Sequence, residues 1–185
     1  MRTNLTLFLL GILVSCGQVV APQYSDNSNG EFKPYIQDFV NIVSNHKFNK
    51  KLKNTNFMFG DLNPLKDPNQ SVTTIGTCYG MYRDKSIIVI DTDYWSKASP
   101  TSKAFTMYHE MGHCICNLQH TQPSNGWYRP FEEILFKLGL IEKKSFLDDG
   151  CPGSLMHPSD MSEFCMLNNY MYYMDELKRS CNENR

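Results

Sequence analysis

The sequence predicts an α+β domain in which a small, mostly antiparallel or mixed sheet lies beside a central helix and a last helix closes the chain. Three observations predict it. Ile36, Phe39, Val40 and Val43 recur at helical spacing, giving a helix over about 34–45. Phe57-Met58-Phe59, then a β-branched and aromatic run from Val72 to Tyr82, then Ser86 to Ile90, read as strands. Arg83-Asp84-Lys85 lies between the last two as a turn, so they form a hairpin. Thr101 to about Asn117 reads as a helix starting at Pro100 or Thr101. Loop follows over 119–130, a short helix over Phe131 to Leu138, turns over 148–160, and a final helix from Ser162 to about Arg179.

Composition sets limits on function. The chain has 185 residues, 41% hydrophobic and 20% charged, which is ordinary for a globular domain. A formal net charge of −1 provides no basic field for nucleic acid. The first residues differ from the rest. Arg2 precedes an apolar run from Leu5 to Val14, too short to span a bilayer but suited to a secretory leader over 1–15. Its end, Leu13-Val14-Ser15-Cys16, resembles a bacterial lipobox. That resemblance implies that Cys16 receives a lipid and becomes the first mature residue. Residues 16–30, rich in Pro, Ser, Asn, Asp and Gly, then form the anchor and a flexible tether, and 31–185 form the domain.

Setting Cys16 aside leaves Cys78, Cys114, Cys116, Cys151, Cys165 and Cys181. An even number in an exported chain favours disulfides. Six cysteines allow about 15 pairings, and sequence does not choose among them.

The chemistry concentrates at His109-Glu110-Met111-Gly112-His113. On a helix, residues i and i+4 share a face, so two imidazoles can meet one zinc ion. Glu110 lies beside that face, placed to handle a water's proton instead of the metal. A catalytic zinc usually takes three protein ligands, and three candidates offer the third. His120 follows His113 by seven residues. On an unbroken helix it would lie about 10.5 Å along the axis, so it can bind only if the helix stops and the chain turns back. Asn117 is a suitable stopping residue, because asparagine tolerates the left-handed conformation. Cys116 fails on the same rise relative to His109, and a thiolate there would compete with disulfide formation. Glu133, or its neighbour Glu132, would give a gluzincin-type site, although a glutamate pair on a helix is more often a solvated face.

At this point the sequence resembles the metzincins, whose motif is His-Glu-x-x-His-x-x-Gly-x-x-His with a methionine turn downstream. His109, Glu110 and His113 match; His120 comes one residue late, and Cys116 stands where the glycine is expected. Ser154-Leu155-Met156-His157-Pro158 looks like the Met-turn, particularly its matrixin form, with His157 as a bystander. Met156 would then be the structural methionine beneath the metal. No tyrosine stands at Pro158, where some astacin-like enzymes carry a further ligand. The string through His120, the strand ending at Asp91, Tyr94-Trp95 and the lipobox also resemble bacterial lipoprotein metallopeptidases.

The resemblance implies a zinc-dependent endopeptidase. His109, His113 and His120 would hold Zn2+, Glu110 would be the general base, and an extended peptide or protein substrate would lie along the strand near 86–90. It implies a monomer anchored to a bacterial envelope membrane through Cys16. Gly17 and Gln18 lack the aspartate linked to inner-membrane retention, which, if the host is Gram-negative, favours the outer membrane. Two rivals stand beside this reading: a gluzincin-type peptidase with Glu133 as third ligand, and a catalytically inactive lipid-anchored binding protein.

Overall fold

The computed structural model describes residues 25–26, 30–44, 48–63, 74–121, 146–158 and 161–183. The leader expected over 1–15, Cys16, the helix expected over 131–138, and Glu132 and Glu133 lie outside the described residues. The fold is α+β with a small mixed sheet, in the strand order β1-β2-β4-β3. The strands are β1 (Ser25–Asp26), β2 (Thr55–Gly60), β3 (Gly76–Tyr79) and β4 (Ser86–Asp91). β1 pairs parallel with β2, and β2 pairs parallel with β4 from Thr55↔Ser86 to Gly60↔Asp91. β3 runs antiparallel to β4, from Gly76↔Ile90 to Tyr79↔Ile87, as the hairpin reading expects.

Two expectations change here. Ser25–Asp26, placed in the tether, form a short edge strand instead. Substrate cannot pair along 86–90, because β4 already has a neighbour on each side. Both of its hydrogen-bonding edges are used, and the outer edge belongs to β3.

The alternation of β4 explains its central place. Ser86, Ile88 and Ile90 are buried on the helical side, while Ile87 is exposed on the other. Asp91 ends the strand and caps α3 (Thr92–Lys97), its carboxylate accepting from Tyr94 N at 2.9 Å. α3 was not anticipated as a helix. It presents Trp95 to Phe32, Tyr35 and Phe59, at centroid distances of 5.0, 5.4 and 5.7 Å. α1 (Lys33–Val43) buries Ile36, Phe39 and Val43 and stops at Ser44 in the left-handed region. The short α2 (Asn49–Lys53) leads into β2.

α4 (Pro100–Cys116) is the central helix. It starts where expected, with Pro100 in the first turn and Ser99 as N-cap. Nearly every residue from Phe105 to Cys116 is buried, because the sheet, α1 and the C-terminal helices surround it. The final helix is two: α5 (Glu163–Asn168) and α6 (Tyr170–Glu183), separated at Asn169. Asn169 departs from helical geometry, with φ −113° and ψ 20°, and its side chain donates to Asp149 at 2.8 Å.

All six remaining cysteines pair: Cys78–Cys114, Cys116–Cys181 and Cys151–Cys165. They join β3 to α4, the end of α4 to α6, and the loop before Met156 to α5. Disulfides of this kind are consistent with an exported protein. Among the described residues no helix is long and apolar enough to cross a membrane.

Candidate metal centre

The decisive local event is the end of α4. Asn117 takes φ 57° and ψ 28°, the left-handed conformation the sequence calls for. Leu118 N–H then bonds back to Gly112 O at 3.0 Å and Asn117 N–H to His113 O at 3.1 Å. Lys51 holds this turn from outside, its ammonium donating to Asn117 Oδ1 and Met81 O. The turn swings His120 back over the helix. His109, His113 and His120 come together, their ligand atoms all within 4.8 Å of one another.

The geometry of these rings fits a cation. His109 Nε2 lies 3.1 Å from His113 Nε2 and 3.1 Å from His120 Nε2. His109 Nδ1 donates to Leu155 O at 2.9 Å, and His113 Nδ1 to Leu118 O at 2.6 Å. Carbonyls only accept, so each Nδ1 carries the proton and each neutral ring has a bare Nε2. Two bare nitrogens this close repel unless a positive ion lies between them. Tetrahedral ligands about 2.0–2.1 Å from zinc would stand about 3.3–3.4 Å apart, close to the observed spacing. The charge states agree. Burial pushes His109 down to about 3, with the neighbouring His113, His120 and His157 adding to the effect against the Leu155 hydrogen bond. Burial also lowers His113 and His120. The rings therefore stay neutral, as ligands must.

Glu110 is buried beside this group. Burial pushes its carboxyl up to about 8, opposed by a hydrogen bond from the Cys78 backbone. A cation at the histidines would favour its charged form. The carboxyl rests on β3 at Gly76, where an added Cβ would come within 2.9 Å of Oε1. Only glycine leaves that room. Cys116 is tied to Cys181 and offers no thiolate. His157 is buried next to the group, near enough for His120 to lower its pKa after burial.

Met156 lies directly below α4. A Cβ at Gly112 would meet Met156 Sδ at 2.8 Å, so the glycine inside the His-Glu motif lets the turn at Met156 approach. Thr121 N–H bonds Met156 O at 3.0 Å, tying the loop after His120 to the same turn. The turn itself hangs on Glu176 of α6, which accepts from Ser154 Oγ at 2.8 Å and Leu155 N at 2.9 Å. Sequence reasoning missed Glu176 and Gly76. A signal for Glu176 existed: it falls among Tyr173, Met174 and Leu177 on the apolar face of a helix, where a charge needs a partner.

A scan against protein-family models finds no match, and searches of curated proteins and of solved structures find none.

Proposed function

We propose that the chain is a zinc-dependent endopeptidase of metzincin type, exported and held to a bacterial envelope membrane by a lipid at Cys16. One observation carries the proposal. Three imidazoles bring their Nε2 atoms together, with a buried glutamate one residue along the same helix packed against Gly76 of β3. Zinc bound there supplies Lewis acidity, polarising a peptide carbonyl and acidifying water to near neutrality.

The protein's own groups do the rest. Glu110 takes a proton from the attacking water and passes it to the leaving amine. Cys78 N–H and the space above Gly76 hold its carboxylate in place. Met156 forms the floor of the site and bonds nothing in the substrate. An extended peptide pairs with the outer edge of β3, which no strand occupies among the described residues. In this reading His120 takes the third position, supported by its 3.1 Å approach to His109; Glu133, the gluzincin-type alternative, lies outside the described residues.

The test is cleavage of a mixed peptide library, with and without chelator, by the wild type and by Glu110→Gln. Expected are chelator-sensitive cleavage by the wild type and loss of at least about 100-fold in the variant, with zinc retained. Zinc retained with no cleavage of any peptide would favour an inactive binding protein. Full activity in Glu110→Gln would refute the proposed base.

A further inference from the structure

A hydrogen-bond chain runs through the Met-turn from a buried carboxylate to a ring of the metal centre. Glu176 is only 4% exposed. Its Oε1 accepts from the Ser154 hydroxyl at 2.8 Å. The same hydroxyl oxygen accepts from Met156 N–H at 3.0 Å. That N–H belongs to the peptide unit whose carbonyl is Leu155 O, and Leu155 O accepts from His109 Nδ1 at 2.9 Å. Each donor points the same way, toward the carboxylate. Ser154, Leu155 and Met156 are all buried, so little solvent screens the chain.

We propose that Glu176 and Ser154 are positioning residues of the metal centre, coupling a buried carboxylate through the Leu155–Met156 peptide to His109. The inference rests on the metal-centre reading above. Negative charge on Glu176 draws the Ser154 proton toward it, which makes the hydroxyl oxygen a better acceptor for Met156 N–H. The Leu155 carbonyl becomes more polar in turn and holds His109 Nδ1–H more firmly. His109 is thereby locked in the tautomer that frees Nε2, and Nε2 becomes a stronger donor to a cation. Carboxylates that bond a metal-ligating histidine directly act in this way; here two links intervene. Packing alone does not call for Glu176, because an apolar side chain would fill the same face of α6 without the cost of burying a charge.

His113 is an internal reference. Its Nδ1 bonds Leu118 O in the turn after α4, outside the Met-turn. Ser154→Ala cuts the coupling and leaves the second bond to Glu176, from Leu155 N–H at 2.9 Å, to hold the turn.

The experiment uses the full chain with its disulfides intact. Zinc affinity is measured by competition with a chromophoric chelator, and the Nδ1–H protons of the zinc-loaded protein are followed by NMR. In Ser154→Ala, zinc affinity should fall about tenfold. The His109 proton should move upfield while that of His113 stays in place. Glu176→Gln, which keeps the shape and removes the charge, should shift both readouts in the same direction. Urea unfolding of the metal-free proteins separates a merely looser fold from a weaker ligand. Wild-type affinity with an unmoved His109 signal in folded Ser154→Ala overturns the coupling, and so do equal shifts of both histidine signals. A wild type that binds no zinc overturns the metal-centre reading itself, and the coupling with it.

Discussion

The chain before α4 and the chain after it keep their shapes by different means. Before α4, β2 and β4 pair over six consecutive positions, and Phe57, Ile88 and Ile90 are fully buried beneath the helices. An aromatic group around Trp95 extends the same core through Phe32 and Phe59. After α4, residues 146–158 have a single isolated bridge, Phe146↔Pro152. That stretch is tied to the helices by Cys151–Cys165, by the two hydrogen bonds to Glu176, and by Tyr172 and Tyr173, whose hydroxyls donate to Gly153 O and Pro152 O. Among the described residues, the first region is held by regular strand pairing and the second by individual ties between side chains and backbone over long sequence distances. The histidine group that could hold a metal lies between them, because α4 carries His109 and His113 while the turn after it delivers His120.

The comparison can be broken by removing one tie at a time. The largest effect should come from Cys116→Ala with Cys181→Ala, which opens a crosslink over 65 residues. Chain entropy puts the cost at about 4 kcal/mol, read from urea unfolding. Zinc affinity should fall as well, since Cys116 immediately precedes the turn at Asn117. Ile88→Ala in the sheet should cost a comparable ~2–5 kcal/mol by leaving a cavity, yet the folded fraction should bind zinc normally. If both changes alter stability and zinc affinity in the same ratio, the two regions are not held independently.

Two glycines sharpen the contrast at smaller cost. Gly112→Ala drives a methyl group against Met156 and should cost about 1–3 kcal/mol, with weaker zinc binding. Gly76→Ala pushes instead on Glu110, so zinc content should hold while kcat falls by up to about 100-fold. Metal analysis beside peptide kinetics separates the two. The smallest effect belongs to Asn117→Ala, about 1 kcal/mol for a left-handed residue without asparagine's local bonding. Asn117→Gly should restore the stability.

The sheet-bearing region was the more legible in sequence. Period and β-branching located β2, the β3–β4 hairpin and α4, because each is a local pattern. The helix rise alone required a break before His120, and Asn117 was the residue able to make it. Short helices such as α2 and α3 escaped, since five or six residues carry too little period. The single C-terminal helix proved to be two, because one residue, Asn169, leaves helical geometry where the pattern of apolar residues runs on. For the same reason, which cysteines pair and which residue supports the Met-turn are facts of three-dimensional proximity. Glu176 stood in plain view on an apolar face, but its partners are 21 and 22 residues away. The strand near 86–90 was recognised but given the wrong role, because order within a sheet is not written in any one strand.

The central claim is that the turn at Asn117 brings His120 to His109 and His113 to complete a single metal site. Zinc titration of the purified wild type and of His120→Ala, with metal per chain measured by elemental mass spectrometry, tests it most directly. One tightly bound zinc per chain in the wild type, with affinity at least about 100-fold lower in His120→Ala, is the expected result. A wild type that binds no zinc, or a His120→Ala variant that binds it equally well, would contradict the account.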